Sequence, residues 1–452
     1  MKRDRLGDKP RFEPWQRRVK TAALSAFLLT LLVTWVLAQR EPGSATRSPQ
    51  SVPGAATGKD SCVTCHTTLQ NQLSAPITAM QDDVHAKHGL SCAGCHGGNP
   101  NEDDASRSHD PRKGYVGKPK LKDVPQFCGK CHSNAEFMKT FNPALRVDQE
   151  TEYFTSVHGK LSRQGDQNVA TCSSCHGFHG IKAVNDPNAP VYPVKVAETC
   201  GKCHASVEHM RPYSIATDQV EKYSRSVHSE ALMKKLDLSA PTCNDCHGNH
   251  GATPPGLTSV ANVCGNCHSR QGELFEKSPH KIPFAEAQLA ACVVCHSNHE
   301  IHPPTDEMLG VGQEATCVSC HTEGDAGFKA AQGMRRQIDE LAAHINTADQ
   351  LLSRAARSGM EVGRPQFDLK DARDKLVNAR VVIHSFSPAQ VEAATKPGVD
   401  VARKALQAGE HSLSELRRRR KGLAVSLVFI LLTVVAVYFK VRQIEGRGGA
   451  DT

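Results

Sequence analysis

Every cysteine in the chain belongs to one pattern, Cys-x-x-Cys-His, which occurs nine times. This pattern is the attachment signature of c-type haem, because two thiols at this spacing form thioethers with one porphyrin and the following histidine ligates its iron. The predicted attachment residues are Cys62, Cys65, Cys92, Cys95, Cys128, Cys131, Cys172, Cys175, Cys200, Cys203, Cys243, Cys246, Cys264, Cys267, Cys292, Cys295, Cys317 and Cys320. The predicted proximal iron ligands are His66, His96, His132, His176, His204, His247, His268, His296 and His321. The sequence therefore predicts nine covalently bound haems.

Other cysteine chemistries fit this pattern poorly. Zinc ribbons also use Cys-x-x-Cys pairs, but they take two pairs for each metal and need no histidine after each pair. A redox Cys-x-x-Cys motif would occur once, and a secreted disulfide framework would not repeat one fixed gap. Attachment of c-type haem takes place on the outer side of an energy-transducing membrane, so the motifs also predict an exported domain.

An internal repeat supplies candidates for the second axial ligands. After the first motif, the other eight form four pairs, and a histidine precedes each pair. Three pairs also have a histidine three residues after their first motif, where the earliest pair has Asn99. Two spare histidines for each pair would give both irons a second ligand. The predicted distal ligands are His85, His88, His109, His158, His179, His228, His250, His280 and His299.

The remaining histidines have less regular positions. His85 and His88 could serve the earliest pair and the unpaired haem at Cys62, and His109 could take the place left by Asn99. His209 is interpreted as a packing variant, and His302 could compete with His299.

Composition predicts what fills the interior. Only 39% of the 452 residues are hydrophobic and 5% are aromatic, and part of that apolar total lies in two membrane-length runs. Little is left for ordinary cores. We expect a mainly α and irregular fold in which residues 59–326 form a haem-packed cytochrome domain with short helices. The net charge of +8 is mild and does not predict nucleic-acid binding.

The two uncharged runs, residues 21–38 and 422–439, would each be about 27 Å long as helices, close to the thickness of the hydrocarbon core. Residues 1–20 are basic and are predicted to be cytoplasmic. The first run is then a transmembrane anchor or signal-anchor, and residues 39–58 form a flexible linker. The second run is predicted to span the membrane and to place residues 440–452 in the cytoplasm. The preceding basic run, Arg417–Lys421, would lie at the lipid head groups.

Residues 327–421 carry heptad spacing, which predicts a three-helix antiparallel bundle whose last helix runs into the membrane. The predicted core positions are Met334, Ile338, Leu341, Ile345, Ala348, Leu352 and Ala355, then Leu369, Ala372, Leu376, Ala379 and Ile383, then Val399, Ala402, Leu406, Gly409, Leu413 and Leu416. Gly363–Pro365 and Pro388 are predicted to mark the breaks. His344 and His384 lie beside these positions and are interpreted as solvated or packing residues.

The repeat Tyr-x-x-Ser-Val-His, followed by CxxCHGxHG and CGxCH, resembles periplasmic membrane-anchored multihaem cytochromes c with doubled motifs, the cytochrome c3-like family. The resemblance covers about residues 60–325. It implies electron transfer between the membrane quinone pool, through an inner-membrane partner complex, and periplasmic or outer-surface acceptors. It also implies a bacterial inner-membrane location, with contact to membrane lipid and the haem domain in the periplasm. The alternative is a multihaem reductase or dehydrogenase of small nitrogen or sulfur compounds, which would need one haem with an open position.

Overall fold

A computed structural model describes residues 60–69, 73–252 and 260–448. These residues form two compact units. The first comprises the described residues up to Ile77 together with His85–Gly117, and the second comprises Thr78–Val84 together with the described residues from Lys118 onward. The predicted basic N-terminus, first anchor and linker lie outside the described residues.

The described residues are helical or irregular, without a β-strand, so the mainly α prediction is confirmed. The helices before the bundle are α1 (Ser61–Thr68), α2 (Ala75–Met80), α3 (Val84–Lys87), α4 (Cys92–His96), α5 (Ala105–Ser108), α6 (Val124–His132), α7 (Ala135–Met138), α8 (Gln149–Thr155), α9 (Val157–Arg163), α10 (Cys172–His176), α11 (Pro193–His204), α12 (Val207–Met210), α13 (Gln219–Ser224), α14 (Val227–Lys234), α15 (Cys243–His247), α16 (Val260–Gly265), α17 (Ser269–Glu276), α18 (Lys281–Glu286) and α19 (Ala291–His296). Short 3₁₀ turns occupy Pro111–Lys113, Leu121–Asp123, Arg211–Tyr213, Asp306–Met308, Thr316–Ser319 and Ile383–Ser385. This part of the chain consists of short helices arranged around the motifs.

Consecutive repeats are joined by one recurring backbone hydrogen bond. The donor is the backbone N–H of the residue just before the leading histidine of a repeat. The acceptor is a backbone carbonyl of the next repeat, two residues after the histidine that follows its first motif. These bonds run from Val84 to Ile181 (2.7 Å), from Val157 to Ala252 (3.3 Å) and from Val227 to Ile301 (2.9 Å). The repeats in the second unit therefore interlock with their neighbours.

The C-terminal part is the predicted bundle, formed by α20 (Ala326–Arg357), α21 (Gly363–Val382) and α22 (Pro388–Gly448). All seven predicted core positions of α20 are buried in one hydrophobic cluster, as are the four from Leu369 to Ala379 in α21. Val399 and Ala402 of α22 join the same cluster, and Ile383, Leu406 and Leu413 pack against it. The heptad prediction is therefore confirmed at these positions, while Gly409, which is buried, and Leu416, which is half-buried, lie outside the cluster.

The last helix continues beyond the bundle without a break. An 18-residue window within Pro388–Ile444 has a mean hydropathy of 2.6, and none of it is buried, so this helix is long and apolar enough to cross a membrane. It contains the run predicted at 422–439. Bundle and candidate membrane span are thus one helix.

Candidate haem-binding sites

In six of the nine motifs, the histidine is the last residue of the helix that carries the motif. These helices are α4, α6, α10, α11, α15 and α19. Residues three and four apart share one face of a helix, so both thiols and the histidine of a motif face the same side. Side chains fix where the shortest helices begin. The Thr171 N–H donates to Ser174 Oγ (3.0 Å) and the Thr242 N–H donates to Asp245 Oδ2 (2.8 Å), which closes the first turn of α10 and of α15.

The residue after the histidine turns the chain away from the helix. Gly97, Gly177 and Gly248 have φ of 69°, 84° and 83°, values that glycine adopts without a Cβ penalty. Ser297 holds the same position in the last repeat with φ of 60°. This turn directs the segment that bears the histidine three residues further on.

The leading histidines His158 and His228 each lie in the first turn of a capped helix. Ser156 Oγ accepts from the Gly159 N–H (2.9 Å), and Ser226 Oγ accepts from the Ser229 N–H (3.1 Å). A serine at this N-cap position starts a helix with the next residues, Val-His, in its first turn. This local structure explains the repeated Ser-Val-His sequence.

The tyrosine of the repeat fixes the approach to the next motif. The Tyr153 hydroxyl donates to the carbonyl of Ala170 (2.9 Å), and the Tyr223 hydroxyl donates to the carbonyl of Pro241 (3.0 Å). Each acceptor lies two residues before the first cysteine of a motif. The leading histidine and that motif are therefore held in one framework.

Seven motif histidines face a histidine from outside the motifs. Two imidazoles on opposite faces of one iron, each with a metal–nitrogen bond of about 2 Å, have ring centroids roughly 6 Å apart. The observed centroid separations are 6.1 Å for His66–His109, 6.1 Å for His158–His204, 6.3 Å for His176–His250, 6.3 Å for His228–His268, 6.0 Å for His247–His299, 5.9 Å for His280–His321 and 6.0 Å for His296–His384. The donor set and its spacing thus fit a haem iron with two histidine ligands at each pair.

Backbone hydrogen bonds hold two of the paired rings, and that of His96, with one nitrogen available. Where Nδ1 donates to a backbone carbonyl, Nε2 keeps its lone pair for a metal, and the ring orientation is fixed. His66 Nδ1 lies 3.1 Å from the Leu73 carbonyl, His96 Nδ1 lies 3.0 Å from that of Val116, and His384 Nδ1 lies 2.9 Å from that of Val381.

Burial also favours the ligating form of the rings. Desolvation lowers the pKa of His158, His176, His204, His228, His250, His280, His296, His299 and His384. A lowered pKa means that the imidazole is neutral at neutral pH. Neutral imidazole is the species that binds a metal.

The pairs reveal a phase, meaning a fixed rule for which motif each outside histidine faces, that one sequence could not show. A leading histidine faces the second motif of its own repeat, as His158 faces His204. A histidine that follows a first motif faces the first motif of the preceding repeat, as His250 faces His176 and His299 faces His247. The third and fourth repeats therefore each place a histidine against a motif of the repeat before.

One assignment made from sequence agrees with this phase and one needs correction. His109 was expected at the place left by Asn99, and its ring faces His66, the histidine of the motif before the first repeat, as the phase requires of a residue at that place. His384 was interpreted as solvated or packing, but it is half-buried and its ring stacks toward His296 at an interplanar angle of 21°. His384 is the residue that sequence reasoning missed. The phase above is the signal for it, because the last repeat has no later repeat to face His296.

The remaining predicted ligands are His85, His88 and His179, and the remaining motif histidines are His96 and His132. Each of these five side chains makes contacts of its own. Their roles as iron ligands stay predictions. His302, in contrast, is an exposed residue beside Glu300, whereas His299 faces a motif histidine.

The motif helices are neighbours in a regular order. Helix α1 packs on α4 in the first unit, and α6 packs on α10, α11 on α15 and α16 on α19 in the second. In the second unit, the first cysteines of these partners lie close together: Cys128 beside Cys172, Cys200 beside Cys243, and Cys264 beside Cys292. Haems attached to such partners would be neighbours.

The second cysteines of the fourth, sixth and eighth motifs lie near the motif that follows each of them in the sequence. Burial raises the pKa of Cys175, Cys246 and Cys295, and thiols of the following motif add to that rise. The thiols in question belong to Cys203, Cys264 and Cys317 respectively. From the third motif to the ninth, each motif is therefore adjacent to the next in sequence order.

Two family models match parts of the chain. A family model of the doubled CXXCH motif matches residues 238–273. A model described as cytochrome c554 and c-prime matches residues 37–97 and 263–345. No curated protein and no solved structure matches the chain.

Proposed function

Because the chain is a multihaem c-type cytochrome with doubled CXXCH motifs, we propose that it carries electrons between the membrane quinone pool and periplasmic or outer-surface acceptors. A bound c-type haem supplies one-electron chemistry at its iron. The protein contributes the thiols that fix each haem, the histidines that ligate it and the order in which the haems follow one another. The haem number in this proposal is nine, one for each motif.

The observation that carries the proposal is the unbroken order of adjacent motifs from Cys128 to His321. A single redox site needs no such order, whereas a conduit needs every carrier close to the next. In five of the seven motifs in this stretch, the motif histidine faces a histidine from one of the repeats. In a sixth motif, it faces His384 of the bundle. Iron with two histidine ligands has no open position for a substrate, which favours electron transfer over the reductase alternative.

The exposed apolar span supports a membrane location. Residues 422–439 lie on the surface of α22 and contain no histidine. They can anchor the chain in lipid but cannot ligate a haem within the bilayer. We therefore place quinol oxidation in an inner-membrane partner complex and the cytochrome on the periplasmic side, tethered by α22.

The first prediction concerns the haem number. Intact-mass measurement of the protein purified from membranes should give the polypeptide mass plus nine haems, because each motif has both thiols and a histidine. Replacing Cys128 and Cys131 with alanine should lower the mass by one haem in addition to the two sulfur atoms. A wild-type mass with seven haems or fewer would show that some motifs are not attachment sites.

The second prediction concerns the route of electrons from quinol. A soluble quinol analogue should reduce the haems quickly in detergent-extracted membranes and much more slowly in the isolated chain, because the oxidation site belongs to a partner. Dithionite should reduce both samples equally, which controls for damaged haems. Equal rates with the quinol analogue would place quinol oxidation on this chain itself.

A reporter fused after Thr452 should be active in the cytoplasm, and a periplasmic reporter would overturn the topology.

A further inference from the structure

The last repeat lacks the neighbour that faces the first motif of the other repeats in the second unit. His176 faces His250 of the next repeat and His247 faces His299 of the next repeat, whereas the repeat that contains His296 is followed by the bundle. We propose that His384 of the bundle is the distal ligand of the haem at His296, so that the loop between α21 and α22 closes the repeat array as a ligand-donating cap. This inference rests on the proposed haem loading of the chain.

The ring geometry places His384 in the same class as the histidines it would replace. The interplanar angle is 11° for His176–His250, 11° for His247–His299 and 21° for His296–His384. Pairs made by leading histidines and the pair of the first motif have steeper angles, between 35° for His228–His268 and 84° for His280–His321. The bundle histidine thus matches the near-parallel pairs in both separation and orientation.

The His384 ring is already oriented for this role. Its Nδ1 donates to the Val381 carbonyl at 2.9 Å, within the last turn of α21. A ring fixed in this way has Nε2 free for a metal, as is usual for metal-binding histidines. The neighbouring Phe386 has φ of 51°, so the chain reverses immediately after the 3₁₀ turn Ile383–Ser385 and begins α22 at Pro388.

The bundle loop also takes the docking position of a following repeat. In the three earlier repeats the residue before the leading histidine donates its N–H to the next repeat. In the last repeat this residue is Pro279, which has no N–H to donate. Phe386 instead packs on His280, with ring centroids 4.0 Å apart. Phe386 lies two residues after His384, the same offset that Ile301 has from His299.

Polar contacts hold the loop and the last repeat together. Arg380 of α21 donates two hydrogen bonds to the Asp306 carboxylate, at 2.9 and 2.7 Å. Arg335 of α20 donates to the Asp306 backbone carbonyl at 2.5 Å. The 3₁₀ turn Asp306–Met308 that follows the last repeat is therefore joined to two bundle helices, and α17 packs against α21 and the His384 turn.

The test is a set of full-length variants purified from membranes. His384→Ala should keep the wild-type number of haems by intact mass but convert one haem from low-spin to high-spin in electron paramagnetic resonance and optical spectra. One low-spin signal of the near-parallel class should be lost. Added imidazole should restore that signal, because a free ligand can enter the open position only if the site is otherwise folded. The matched control is His344→Ala, another half-buried histidine of the bundle, which lies beside Glu340.

The outcomes separate this inference from the proposed function. A wild-type haem count that is too low would overturn the proposed haem set. A full haem count with an unchanged spin state in His384→Ala would overturn the cap alone. The same spectral change in His344→Ala would also overturn it, since the effect would then come from general disturbance of the bundle. A change confined to His384→Ala and reversed by imidazole would support it.

Discussion

Replacing His250 with alanine is expected to open an iron that is attached far away in the sequence, at Cys172 and Cys175. His250 follows the motif of His247 by three residues, but its ring faces His176 of the preceding repeat at 6.3 Å. One haem should become high-spin, and its potential should rise by on the order of 0.1 V, a small part of the ~0.8 V that axial ligands span. Electron paramagnetic resonance and a spectroelectrochemical titration would measure both changes.

Double substitutions identify the iron. Residues that share one site have non-additive effects, whereas residues at separate sites have additive ones. His176→Ala combined with His250→Ala should therefore disturb one haem, and His247→Ala combined with His250→Ala should disturb two. His302→Ala is the control, because this histidine is exposed and should leave all haems low-spin. The reverse result for the two double variants would assign His250 to its own motif and contradict the interlocked phase.

Replacing Ile338 with alanine should strongly destabilise the bundle. This side chain is fully buried in the hydrophobic cluster formed by α20, α21 and α22. Loss of a large aliphatic side chain from such a position costs about 2–5 kcal/mol of unfolding free energy. For a unit of this size that corresponds to a fall of roughly 10 °C or more in unfolding temperature. Thermal unfolding followed by far-ultraviolet circular dichroism would measure the shift.

A matched substitution in the same bundle separates the effect of losing a buried side chain from the effect of a change in helix propensity. Val377 of α21 is 59% exposed, so Val377→Ala should change the unfolding free energy by less than about 0.5 kcal/mol. If His384 ligates the iron at His296, a high-spin signal should appear at the lowered unfolding temperature of the Ile338 variant. Equal stability of the two variants would contradict the assigned core.

The parts of the fold that were predictable depend on local patterns. The CxxCH motifs specify their own short helices, and heptad spacing identified the buried positions of α20 because helical period alone decides which residues share a face. The repeat also indicated which histidines to consider. Six of them, at the repeated positions, were found without any structure, and five of these six face a motif histidine.

The pairing itself was not predictable from those patterns. Ligation joins residues that are distant in sequence, and a single chain shows only that His250 and His299 recur, without showing which motif each one faces. His384 was missed for a related reason. It lies beside Ile383 at the end of a heptad pattern, where a histidine has an adequate explanation in packing alone. Pro279, in place of the valine of the three earlier repeats, was the one local sign that the array ends there.

The unbroken path of α22 fixes a distance as well as an anchor. An α-helix rises 1.5 Å per residue, so the segment from Pro388, beside the His384 turn, to Gly422, where the apolar run begins, is about 50 Å long. With α22 anchored in the membrane as proposed, the bundle acts as a spacer between the last repeat and the lipid. Electron tunnelling falls off exponentially with distance, so haems at the far end of such a spacer exchange no electrons directly with quinol in the bilayer. In the proposed membrane location, the length of this helix, rather than the chemistry of any haem, sets how far from the membrane the last carriers of the chain can reach.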